Sequence, residues 1–300
     1  MTSHTDSLQR FLFEQDAIRG EVIHLDHSWQ EVISRHDYHP LVRELLGETL
    51  TAGVLLSATL KMEGRLTIQI QGDGPVSLLV AEITISKDGD LTQRSLRGMA
   101  SCKQEQLAQG NLASLFGKGQ IVITIQPDNG KDRFQGIVAL EGETIAEALQ
   151  AYFIQSEQLD TRLWLHVGEN NTAGLLLQRM PSSDELEAED WNRILHLAST
   201  VSRDELLDLA GEAVIHRLFH EEDVRVFEAE SIRFFCSCSR EKVAGMLRGL
   251  GRSELEDIIQ EQGKVGVNCE FCLQAYEFDS VDVEQLLVSD NSFESPESTQ

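Results

Sequence analysis

The stretch that organises the whole reading is CSCSREKVAGMLRGLGRSELEDIIQEQGKVGVNCEFC, from Cys236 to Cys272. It holds two tight cysteine pairs, Cys236 with Cys238 and Cys269 with Cys272, separated by 30 residues. Four thiolates at such spacing are a strong signature of a tetrahedral zinc site, with one metal per chain. The first pair follows an apolar run, Ile232, Phe234 and Phe235. If that run continues as a strand, residues two apart share a face and both sulfurs point the same way. The second pair follows Gly263 to Val267, a short strand feeding a turn that can curl around a cation. Between the pairs, Ser239 is placed to cap a helix running through Leu247, and Gly249 and Gly251 to end it. Ser253 with Glu256 reads as a capping box for a second helix that stops at Gly263.

A segment this short, residues 231–287, rarely buries enough apolar surface to fold unaided. Structural zinc contributes about 10–16 kcal/mol in finger peptides, so loss of the metal is expected to unfold the region. Two readings follow: an architectural zinc, or a redox switch. Cysteines two apart on a strand sit about 6.6 Å between Cα atoms, near the upper limit for a disulfide, so such a bridge would be strained and readily reduced. That reversibility favours the switch.

Working outward, residues 182–230 carry 14 acidic residues against 4 arginines, with helix-length periodic runs at Trp191 to Thr200 and Glu205 to Phe219. The pattern predicts an acidic helical linker. Its apolar stripe of Ile194, Leu195, Leu206, Leu207, Leu209, Val214, Leu218 and Phe219 needs a cover, either the preceding domain or a partner. Residues 1–181 mix helix and strand signals. Pro40 to Met62 has the three-to-four spacing of a core helix, through Leu41, Leu45, Leu46, Leu50, Val54, Leu55 and Ala58. Arg65 to Ile70 and Val76 to Ala81 form one predicted hairpin around Gly72-Asp73-Gly74-Pro75; Ile121 to Gln126 and Phe134 to Leu140 form another around Pro127-Asp128-Asn129-Gly130. Glu143 to Ser156 reads as helix and Arg162 to Val167 as strand. The fold class expected is α+β: a mixed N-terminal core domain over 1–181, a helical linker over 182–230, a small zinc-binding domain over 231–287, and a disordered tail over 288–300.

The chain has 300 residues and a formal charge of -25, a field that repels phosphate backbones, so nucleic acid and anionic membrane surfaces are excluded as expected partners. No signal-peptide pattern or spanning apolar run is present, which predicts a cytoplasmic protein whose clustered thiols serve metal or redox chemistry.

Short motifs in separate regions resemble one bacterial family, the redox-regulated 33-kDa heat-shock chaperones. They are RFLFE at Arg10 to Glu14, IQIQGDGP at Ile68 to Pro75, YFIQSEQLDTRL at Tyr152 to Leu163, HEED at His220 to Asp223, CSCSRE from Cys236 and CEFC from Cys269. The resemblance implies an ATP-independent holdase of the stress response, inactive when reduced and zinc-bound. Thiol oxidation would release the zinc from Cys236, Cys238, Cys269 and Cys272 and unfold the zinc domain and linker. It implies further that oxidation pairs Cys236 with Cys238 and Cys269 with Cys272, that the active form is a homodimer, and that the partners are unfolding client proteins.

Weaker signals have plainer readings. Gly72-Asp73-Gly74 lacks the lysine and helix of a phosphate loop and reads as a hairpin turn. His216 and His220 beside Glu221 read as exposed linker histidines, His36-Asp37 as a loop, and Cys102 as an inert thiol without a switch role. A zinc-ribbon nucleic-acid-binding or regulatory protein is the main alternative function, but residues 231–287 hold 10 acidic and 6 basic residues, which argues against it. A thiol oxidoreductase would place Cys269 and Cys272 at a helix start in a thioredoxin-like unit, a setting this sequence lacks. No nucleophile, base and oxyanion set is visible, so the chain reads as a chaperone and not an enzyme.

Overall fold

The computed structural model describes residues 6–89, 91–108, 110–130, 132–181 and 187–288. The expected tail, from residue 289 onward, and the first residues of the expected linker, 182–186, lie outside them. The chain divides into two compact units, one up to Phe235 and one from Cys236.

The first unit is built on one long sheet. Its strands are β1 (Ser7–Phe13), β2 (Ile18–Leu25), β3 (Gly64–Gln71), β4 (Val76–Asp88), β5 (Leu91–Cys102), β6 (Gln120–Pro127), β7 (Phe134–Ala139), β8 (Thr161–Val167), β9 (Thr172–Arg179), β10 (Val224–Val226) and β11 (Glu230–Phe234). The spatial order is β7-β6-β3-β4-β5-β11-β1-β2-β9-β8, with β10 paired to the remaining length of β1. Both predicted hairpins are present, with Ile68 opposite Ala81 in one and Ile123 opposite Gly136 in the other. Gly72-Asp73-Gly74 is a turn: Asp73 Oδ1 accepts from the Lys118 amide and the Gly74 amide donates to Phe116 O.

Helix α1 (His27–Ile33) precedes α2 (Pro40–Thr59), the predicted core helix. Proline at its first turn suits a position whose N–H has no helical partner. Val42, Leu46, Leu50, Val54 and Leu55 are fully buried. Gly47 and Gly53 let strands come close: a Cβ there would meet Val167 at 2.7 Å and Ile83 at 3.2 Å. Short α3 (Leu112–Phe116) and α4 (Ile145–Tyr152), which ends in a π turn at Phe153–Glu157, complete this layer.

The linker's apolar stripe is covered by the core sheet itself. Along β9, Leu176 joins the α2 side of the core while Leu175 and Leu177 join a second cluster with Phe11, Phe13 and Val22. Adjacent strand residues point to opposite faces, so this half of the sheet is packed on both. The second face receives α5 (Glu187–Ala198), α6 (Arg203–Asp208) and α7 (Gly211–Phe219), whose Ile194, Leu206, Leu207, Val214, Leu218 and Phe219 are buried in that cluster. Double burial also explains why Thr172 to Arg179 carries no alternating pattern.

Two expectations are corrected. Glu205 to Phe219 is not one helix: Leu209 and Ala210 are extended, and Gly211 restarts the helix where a Cβ would meet Gln9 at 3.0 Å. The chain must step over β1 and β2, which a straight helix cannot do. Ser253 caps nothing, because the second helix of the cysteine region begins earlier, after Gly251 at φ 87°.

Candidate metal centre

The second unit contains α8 (Arg240–Arg248), α9 (Arg252–Gln262), β12 (Val265–Asn268), β13 (Ala275–Phe278) and α10 (Ser280–Val288). Ser239 caps α8 as expected, its side chain accepting from the Lys242 amide, and Gly263 ends α9 in the left-handed region. The apolar core is small: Val243, Ala244, Leu247, Leu255, Val265, Phe278, Val283 and Leu287 are its buried members among the described residues. Arg240 lies over the Phe278 ring at 4.2 Å and pairs with Asp282 at 2.7 Å.

All four expected cysteines converge. Cys236 and Cys238 lie just before α8, beyond the end of β11 at Phe234, so the shared-face argument from strand geometry does not apply to them. Cys269 and Cys272 lie on the tight turn between β12 and β13, closed by Leu273 N donating to Cys269 O (2.8 Å) and Cys269 N donating to Gln274 O (3.0 Å), with Leu273 at φ 59°. The four sulfurs are within 4.8 Å of one another, with Cys236 Sγ 3.7 Å from Cys269 Sγ and Cys238 Sγ 3.4 Å from Cys272 Sγ. Tetrahedral sulfurs about 2.3 Å from a common ion are about 3.8 Å apart, so this cluster could hold a metal ion such as zinc.

The electrostatics agree with the geometry. Burial, against the pull of backbone amides and with help from the other sulfurs, pushes the Cys272 thiol up to about 12. Burial likewise raises Cys269, opposed by the amides of Cys272 and Phe271. Amides aimed at sulfur favour thiolate, whereas burial and the neighbouring sulfurs disfavour it. The Tyr276 hydroxyl donates to Cys238 Sγ at 3.1 Å. Sequence reasoning missed this residue; the available signal was the hairpin register, in which Tyr276 stands opposite Val267 beside the second cysteine pair.

A family model described as Hsp33 protein matches residues 6–279. The chain belongs to the Hsp33 family. Curated relatives named 33 kDa chaperonin include those of Nitrosococcus oceani, 47% identical over 284 residues covering 95% of each chain, and Methylobacillus flagellatus, 46% identical over 288 residues covering 95% of this chain and 96% of the relative. The crystal structure of the Thermotoga maritima 33 kDa chaperonin shares the fold, with a TM-score of 0.77 and 24% identity over 96% of this chain and 99% of that one.

The other residues singled out from the sequence of this Hsp33 chain stay apart from the sulfur cluster. His216 on α7 and His220 just past its end are exposed, with rings 5.8 Å apart. His36 and Asp37 lie in a loop, His36 stacked on Tyr38. Cys102 ends β5, half-buried, its thiol raised by burial. Among the described residues, no helix is long and apolar enough to cross a membrane.

Proposed function

We propose that this chain is a redox-regulated, ATP-independent holdase of the cytoplasm, inactive when reduced and activated when oxidation of Cys236, Cys238, Cys269 and Cys272 unfolds the segment they hold. The observation that carries this reading is the convergence of four sulfurs in a unit with so few buried apolar side chains. Zinc, one ion per chain, would hold the four thiolates and supply positive charge. The residues of the chain do the rest. Amides of Phe271, Cys272 and Gln274 and the Tyr276 hydroxyl orient the sulfurs. An oxidant of the peroxide class takes two electrons from each cysteine pair, Cys236 with Cys238 and Cys269 with Cys272, leaving one S–S bond and water or hydroxide for each pair oxidised. A disulfide is no thiolate ligand, so the metal is released and the unit loses its main stabilisation.

On this reading residues 231–287 are the switch and 182–230 a separable linker, which, once the switch has unfolded, lifts from the core sheet and uncovers the stripe on α5 to α7. The apolar surface so exposed would take up unfolding clients, and the oxidised chain would pair with a second copy. The acidic linker keeps the loaded complex soluble, and neither nucleic acid nor a membrane is a partner. No catalytic role is assigned to any residue. The test is aggregation of a heat-unfolding client with reduced and with oxidised protein, without nucleotide, while released zinc is measured. Suppression by the oxidised form alone, with about one zinc released per chain, is expected. Equal suppression by both forms, or a need for ATP, overturns the proposal.

A further inference from the structure

Strand β11 occupies an unusual place. It is five residues long and, among the described residues, it is the strand that joins the two halves of the sheet, lying between β5 and β1. It runs parallel to β5, Ile232 beside Arg94 and Phe234 beside Leu96, and antiparallel to β1, Glu230 beside Leu8. Ile232 N donates to Asp6 O and Phe235 N to Leu96 O. It ends at Phe234, two residues before Cys236, within the segment proposed to unfold.

One face of β11 reads Glu230, Ile232, Phe234. Each finds a prepared receptor in the first unit. Glu230 pairs with Arg94, whose side chain is 4% exposed, and with Arg10 at 2.8 Å. Ile232 is buried in the main core, and Phe234 packs against that core beneath the Arg35 guanidinium at 4.7 Å. A cavity of about 530 Å³ opens beside Glu230, lined by Arg10, Arg19, Arg94, Phe11 and Phe227 among others. Should β11 leave, the slot keeps two unpaired backbone edges, a buried guanidinium without Glu230, and an apolar floor.

We propose that this slot is a second client-binding site of the activated chain, separate from the stripe on α5 to α7, and that an extended segment of an unfolded protein takes the place of β11. The proposal rests on the redox reading above. The occupant follows from the slot's two-sidedness: it offers a hydrogen-bond ladder on both sides, about 4.8 Å to each neighbour, so whatever fills it must have both backbone edges free. An edge strand of a folded protein has one; an unfolded chain has two. Main-chain ladders accept many sequences, while the arginines and floor favour an acidic residue followed at alternate positions by apolar ones.

The test uses a fluorescent peptide of residues 229–235 (AESIRFF) and the full-length protein. The oxidised form should bind it at least tenfold more tightly than the reduced form, and a chemically unfolded, alkylated client protein should displace it. In the peptide, Ile232→Asp should abolish binding and Glu230→Gln weaken it several-fold. A second variant joins Ser7→Cys to Ser231→Cys, cross-strand neighbours on β1 and β11. With β11 so fastened, oxidation should still release zinc while binding of the labelled peptide falls at least tenfold and client capture drops to what the α5 to α7 stripe alone supports. Equal peptide binding by both forms, peptide displaced by a second copy but not by client, or unchanged capture by the joined chain overturns the slot. Absence of zinc release from the oxidised wild type overturns the redox reading instead. If the joined chain fails to form, the peptide measurement decides alone.

Discussion

Leu206→Ala should make the reduced, zinc-loaded protein a partial holdase. Leu206 is fully buried on α6, a helix of six residues, in the cluster that seats the linker on Phe11, Phe13, Val22 and Leu175. The helix is held locally by a capping box, in which Ser202 and Glu205 satisfy each other's amides, and by Arg217 paired to Glu205 at 2.8 Å. The substitution leaves these contacts in place and removes packing alone. Truncating a buried leucine to alanine costs about 3–5 kcal/mol. At about 1.4 kcal/mol per tenfold, the population with the linker lifted rises on the order of a hundredfold or more. The assay is client aggregation with reduced variant, with zinc content measured alongside and hydrogen exchange followed on α5 to α7. The expected result is capture with zinc still bound and protection lost on those helices. Equal loss of protection across β3 and β4 would show that the helices are inseparable from the core. A lifted linker with no client capture would show that lifting it is not what activates the chain.

Three further outcomes follow from single groups. Tyr276→Phe removes the hydroxyl bonded to Cys238 Sγ and should weaken zinc binding roughly tenfold, read by competition with a chelator. Gly263→Ala places a side chain at φ 75°, and its cost of about 1 kcal/mol should lower the oxidant concentration that releases half the zinc, with the fold otherwise intact. Burial holds the Glu21 carboxyl at about 7 against the pull of Arg19, Arg10 and Arg94, so the folded chain keeps a proton that the unfolded chain loses near 4.5. Stability from this group therefore falls as pH rises from about 4.5 to 7, by about 3 kcal/mol at full effect, and Glu21→Gln should flatten that slope in denaturant unfolding of the reduced protein.

The sequence was most legible where one local rule governs. The cysteine spacing marked the residues that the fold brings together, and Ser239 and Gly263 signalled the α8 start and α9 end that are observed. The α2 pattern was read correctly because its periodicity survives even though the helix is buried nearly all round. Strands β2 and β9 escaped notice because burial on both faces erases alternation, and β1 and β5 because Ser7 to Phe13 and Leu91 to Cys102 mix polar and apolar residues. The place of β11 could not be read at all. Its partners are more than a hundred residues away in sequence, and nothing local says that a strand from the end of the chain completes a sheet begun at its start. The Ser253 expectation failed for a simpler reason, since glycine at positive φ began the helix before a side-chain cap was needed.

Hydrogen exchange on the reduced and oxidised protein, with zinc measured in the same samples, tests the central claim most directly. Loss of about one zinc per chain should coincide with loss of protection from Ser231 to Leu287 and over α5 to α7, while α2 and β3 to β6 stay protected. Holdase activity accompanied by unchanged protection of the cysteine unit and the linker helices would contradict it.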